Sequence, residues 1–111
     1  MVKIELKPLS VNECWRGRRS KTVKYLKYQT DMLFLLPNDL VIPEPPFTVY
    51  YEFGFSSRAS DLDNPVKPFQ DILQKRYKFD DKLIEEMLVR KKKVLKGKEY
   101  VKFEIKTYEN E

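Results

Sequence analysis

Phe47, Thr48, Val49, Tyr50, Tyr51, Glu52, Phe53, Gly54 and Phe55 run in that order near the middle of the chain, and their odd-numbered members are all apolar. Large apolar side chains on every second residue have the period of a strand, because successive side chains leave a pleated backbone on opposite sides. The odd-numbered face reads as core, and contact with a second subunit is the other use open to so aromatic a strand. Upstream, Pro37, Pro43, Pro45 and Pro46 break the backbone and separate the strand from a helical pattern over Lys21–Leu36. In that pattern Tyr25, Leu26, Met32, Leu33 and Leu36 gather on one side, with Lys24, Lys27 and Asp31 on the other.

Downstream, Ser56–Asp63 leads into a second helix, in which Phe69, Ile72, Leu73 and Arg76 fall at i, i+3, i+4 and i+7. Asn64 before Pro65 supplies an N-cap with proline at the first helical position, and Pro68 offers a second starting point. Met87–Leu95 reads as a strand whose exposed tip is Arg90–Lys93. Gly97 then turns the chain into Tyr100–Tyr108, where Val101, Phe103 and Ile105 alternate with Lys102, Glu104 and Lys106. These last two strands are expected to pair as a hairpin. At the other end Val2, Ile4 and Leu6 alternate with charged residues until Pro8, and Leu9–Ser20, without periodicity, reads as a mobile basic loop. The sum is one α+β domain over residues 1–111, a mixed sheet of about four strands with two main helices.

The chain has 111 residues, enough for one core, and burial of about two thirds of the unfolded surface is adequate rather than generous, so dimerisation would help. It contains no His, which excludes a Ser-His-Asp triad, a Cys-His dyad, a His-liganded zinc and imidazole acid–base chemistry. The single Cys14 can form neither an internal disulfide nor a cysteine zinc cluster. The longest uncharged apolar run, Met32–Pro37, is too short to span a membrane, and no leader pattern opens the chain, so a soluble cytoplasmic protein without membrane partners is expected.

The net charge of +5 conceals three zones. Residues 1–30 carry 8 basic and 2 acidic residues, net +6; residues 31–86 carry 6 and 11, net −5; residues 87–111 carry 8 and 4, net +4. Clustered Lys and Arg attract a polyanion through counterion release, whereas an excess of carboxylates repels it unless a divalent cation lies between. Arg16, Arg18, Arg19, Lys21, Arg58 and the run Arg90, Lys91, Lys92, Lys93 are the candidate DNA-binding residues.

The acids fall in two places, Asp61 with Asp63, and Asp80 with Asp81. In an extended segment residues i and i+2 project to the same side, so Asp61 and Asp63 can present two carboxylates to one cation. Magnesium takes hard oxygen ligands and retains waters, so two or three carboxylates plus substrate phosphate oxygens suffice to hold it, and manganese can substitute. Such a metal supplies a nucleophile where histidine is missing, and Lys67 can set a positive charge against the scissile phosphate. Each residue also has an ordinary use: Asp and Asn cap helices, Asp80 and Asp81 fit a turn, and Asp71 pairs with Lys75 at i+4.

Asp61-Leu62-Asp63-Asn64-Pro65-Val66-Lys67, with Asp71 four residues on and Asp80-Asp81 before a strand, resembles the RusA family of Holliday junction resolvases. The resemblance implies a RusA-like homodimer and a magnesium-dependent endodeoxyribonuclease of DNA recombination and repair, acting on four-way junctions or other branched DNA. It implies Asp61, Asp63 and Asp81 as catalytic metal ligands, Asp80 in reserve, and Lys67 as the catalytic lysine. A phage or prophage setting fits the family. The rival expectations are a non-catalytic DNA-binding or regulatory protein and a nuclease for other branched nucleic acids.

Overall fold

In the computed structural model, which describes residues 1–109, the central strand forms with the bounds its alternation predicts, Phe47–Phe55. Counted along the chain, the elements are β1 (Val2–Ile4), β2 (Trp15–Arg16), β3 (Ser20–Lys21), α1 (Val23–Leu35), β4 (Phe47–Phe55), α2 (Val66–Tyr77), β5 (Ile84–Lys93) and β6 (Tyr100–Thr107). Short 3-10 turns at Val11–Glu13 and Asp81–Leu83 complete them. The main sheet has the order β1-β6-β4-β5, with β4 and β5 parallel and the other neighbours antiparallel. This is the mixed four-stranded α+β architecture with two helices.

The core lies between the helices and one face of the sheet. Phe47, Val49, Tyr51, Phe53 and Phe55 are all buried, which confirms the odd-numbered face of β4 as core. Phe69 of α2 meets Tyr51, Phe53 and Phe103 edge-on, with ring centroids 5.4, 6.0 and 5.5 Å away. Edge-to-face pairs of this kind each contribute about 0.5–1.5 kcal/mol beyond their buried area. Tyr51 also donates its hydroxyl proton to Gln70 Oε1 at 2.9 Å, so α2 is pinned to the central strand by both packing and a buried hydrogen bond. On the opposite face Tyr100 lies across Gly54, where a Cβ would come within 2.5 Å of the Tyr100 ring, and its hydroxyl reaches the buried Glu52 carboxylate at 2.5 Å.

Several expectations are corrected. β5 and β6 do not pair as a hairpin: β4 lies between them, and residues 94–99 cross over its end, with Val94 N–H bonded to the Phe55 carbonyl at 2.8 Å. The physical reason is burial, because the strand with the most apolar side chains takes the position flanked on both sides and leaves the charged β5 at an edge. β5 also starts earlier than the expected Met87 and is mostly exposed along its length. Leu26 of α1 is exposed, and Tyr28 takes a core place with Tyr25, Met32 and Leu36. The basic segment is not an unstructured loop. β2 and β3 make a small hairpin whose turn needs Gly17, at φ +69°, a conformation costly for a side chain. Among the described residues no helix is long and apolar enough to cross a membrane.

Candidate active site

The loop from Ser56 to Pro65 leaves the end of β4 and is tied down along its length. Lys93 Nζ donates to the Ser56 carbonyl and Lys91 Nζ to the Ser60 carbonyl, both at 2.5 Å, and Ser56 Oγ donates to Glu99 at 2.7 Å. Near the far end, Val11 N–H bonds to the Asn64 carbonyl at 2.9 Å and Val66 N–H to the Asp63 carbonyl at 3.1 Å. Pro65, not Asn64, occupies the N-cap of α2, and no side chain caps that helix, which corrects the Asn64 assignment.

The backbone bends and turns through Leu62–Pro65 rather than running extended, so strand alternation does not align Asp61 and Asp63. Both are exposed, and among the described residues neither carboxylate accepts a hydrogen bond or joins an ion pair. The ordinary capping use is therefore not what occupies them. The second acidic pair is divided. Asp80 caps the 3-10 turn, accepting from Lys82 N–H at 3.0 Å, whereas Asp81 Oδ2 lies 3.9 Å from Lys67 Nζ.

Lys67, in the first turn of α2, is held between two acids, with its ammonium 2.8 Å from Asp71 Oδ1. The hydrogen bond to Asp71, and then the charges of Asp71 and Asp81, raise its pKa against the lowering effect of burial. Asp71 thus pairs with Lys67 at i−4 rather than with Lys75. The i, i+4 spacing allows either partner, and an acid N-terminal to its base is the better order on a helix, so the pairing with Lys67 runs against that local preference. Asp71 is the site-adjacent residue that sequence reasoning placed outside the site.

The basic candidates also sort by geometry. Arg16, Arg18 and Arg19 sit on the β2–β3 hairpin and Arg58 on the Ser56–Pro65 loop, all exposed and with no side-chain partner among the described residues. Lys21 Nζ instead lies 5.4 Å from the Tyr25 ring centroid and 3.4 Å from Gln29 Oε1. The Arg90–Lys93 run is not one cluster, because strand alternation sends Lys91 and Lys93 to the loop while Arg90 and Lys92 follow the other face. Between the N-terminal turn and the acidic loop runs a groove of about 300 Å³, lined by Lys7, Ser10, Asn12, Ser57, Ser60 and Asn64 among others. Cys14 is buried, and burial, with the neighbouring acids, pushes its thiol up to about 11, which removes it from nucleophilic chemistry at neutral pH.

In kind, Asp61, Asp63 and Asp81 fit a hard cation, Asp61 and Asp63 as carboxylates without a partner among the described residues and Asp81 as one that also faces Lys67. In position they are spread: among the described residues no group of three such side chains is close enough to hold a metal ion. Fold and site together define a small α+β domain with an acidic loop and a lysine at a helix start, flanked by a basic hairpin. Compared with models of known families and with curated proteins, the chain matches none.

Proposed function

We propose that the protein is a magnesium-dependent endodeoxyribonuclease that nicks branched DNA, with four-way junctions as the substrate and a two-fold homodimer as the acting form. The observation that carries this reading is the pair Asp61 and Asp63, exposed acids without a partner among the described residues, at the entry to a helix whose first turn carries a lysine held by Asp71 and Asp81. Asp61, Asp63 and Asp81 are the carboxylates that would hold the cation. When bound, magnesium supplies a water of lowered pKa and neutralises charge on the scissile phosphate.

The chain's own groups do the rest. The α2 N–H groups, uncapped by any side chain, and the Lys67 ammonium face an incoming phosphate with positive charge. Arg16, Arg18, Arg19 and Arg58 supply electrostatic docking to the backbone of the duplex arms. Lys91 and Lys93 keep the loop in place rather than bind DNA. Two symmetric nicks need two sites, which a two-fold dimer provides on opposed strands. Manganese serves in place of magnesium, and a cytoplasmic setting in phage or host follows from the substrate.

The test is incubation of the protein with a synthetic four-way junction, a linear duplex and a flap, each with magnesium or EDTA. Paired nicks in the junction with magnesium alone are expected, and Asp61→Asn should bind the junction but not cut it. Cutting by Asp61→Asn at the parental rate would overturn the site, and a preference for the flap would move the substrate to other branched nucleic acids. The spread of the carboxylates favours a second reading, a DNA-binding or regulatory protein without catalysis. Metal-independent junction binding with no cleavage would establish it.

A further inference from the structure

β5 is the outer strand of the sheet, with β4 on one side and, among the described residues, an unpaired edge on the other. An exposed edge is a template for another strand, and isolated lysines commonly guard it. Here the guard has a particular order. From Glu86 the strand reads acid, then Met87, Leu88 and Val89, then Arg90, Lys91 and Lys92, with Met87 39% and Leu88 53% exposed. The extra residue Glu85 interrupts the ladder with β4, and from Glu86 onward the register is regular.

Turned end for end about Val89, this strand sets its acid against a base. Glu86 falls opposite Lys92 and Leu88 opposite Arg90 on the open face of the sheet, while Met87 falls opposite Lys91 on the helix side. Directly opposed residues of antiparallel strands are the ones whose charges interact, and opposite charges there stabilise whereas like charges repel. A parallel copy would set Glu86 on Glu86 and Lys92 on Lys92. Glu86, which also accepts from the Thr48 hydroxyl at 2.9 Å, and Lys92 therefore find opposite charge in an antiparallel second copy and like charge in a parallel one, an isologous contact in which residue i meets j and j meets i. The pairs also keep parity, so one continuous eight-stranded sheet results with the helices of both copies on the same side.

We infer that two copies of the chain join by antiparallel pairing of their β5 edges about a two-fold axis at Val89. This rests on the reading of the protein as a homodimer and specifies its interface, but its test involves neither DNA nor metal. In sedimentation equilibrium the chain should show twice its 13.4 kDa mass. Glu86→Lys alone and Lys92→Glu alone should each raise the dimer dissociation constant roughly ten-fold or more, since symmetry places two like-charge pairs in every dimer. An equimolar mixture of the two variants should recover the parental affinity, which a folding defect would not do. Val89→Cys should form an intermolecular disulfide on mild oxidation, because directly opposed Cα atoms of antiparallel strands lie about 4.5–5.5 Å apart, within disulfide reach. A monomeric parent protein, or charge variants that dimerise as well as the parent, would overturn the inference. So would a dimer that Glu104→Lys breaks and Val89→Cys fails to cross-link, which would place the contact on the open face of the sheet. Cleavage by a monomer would leave the nuclease reading standing without this interface, and an edge-paired dimer that cuts nothing would do the reverse.

Discussion

Tyr100→Phe removes one hydroxyl and tests the account of the buried carboxylate on β4. Glu52 is 5% exposed and accepts from Tyr100 at 2.5 Å and Tyr50 at 2.6 Å, with Lys102 Nζ at 3.7 Å. Burial alone would raise its pKa, but the two hydroxyls and the lysine outweigh it and hold the carboxyl below its ordinary 4.5. A hydrogen bond to a charged group contributes about 1.5–3 kcal/mol. Because Tyr50 and Lys102 remain in the variant, the loss at neutral pH should lie in the lower half of that range, about 1.5–2 kcal/mol. With a urea slope of about 1–3 kcal/mol per molar, the unfolding midpoint should fall by roughly 1 M. The pH dependence follows from linkage. A carboxyl whose folded pKa is depressed adds stability that is present above its unfolded pKa and lost as pH falls through the folded one. The difference between Tyr100→Phe and the parent should therefore be full at neutral pH and shrink below about pH 4.5. Urea titrations at both ends of that range, followed by circular dichroism, measure it. A loss under about 0.5 kcal/mol, or one that is the same at every pH, would show that Glu52 does not draw its charge stabilisation from Tyr100.

Phe69→Ala empties the place where α2 meets three aromatic rings, and a loss of about 3–5 kcal/mol in urea unfolding is expected, a large share of a small domain's stability. Lys78 caps α2 in the left-handed conformation at φ 59°, so Lys78→Gly should raise stability by about 0.5–1 kcal/mol in the same titration. Asp71→Asn takes away the nearer of the two acids holding Lys67; junction cleavage should slow while binding affinity stays within a factor of about two, with Asp71→Glu partly restoring the rate. A change confined to affinity would put Lys67 among the phosphate-binding groups instead.

Much of the architecture was legible locally. The period of two over Phe47–Phe55 and Tyr100–Thr107 and the apolar spacing of Phe69, Ile72 and Leu73 correspond to elements that formed where expected, because each pattern is written into neighbouring residues. Leu26 and Tyr28 show the limit of that method. Both lie near the apolar side of α1, and only the position of the sheet decides that the tyrosine turns inward. Asp80 and Asp81 show it for the site, since adjacent identical residues differ once one caps a turn and the other faces Lys67.

Residue order was enough to give one α+β domain, barred from histidine chemistry, with acids in the middle and basic residues towards both ends. Tertiary structure alone decided that β4 lies between β5 and β6, that Lys91 and Lys93 are spent on holding the acidic loop, and that Lys67 belongs to Asp71 and Asp81. The reason is range. Periodicity and capping act over a few residues and are encoded there, whereas strand order and ion-pair choice depend on which distant surfaces bury the most apolar area together.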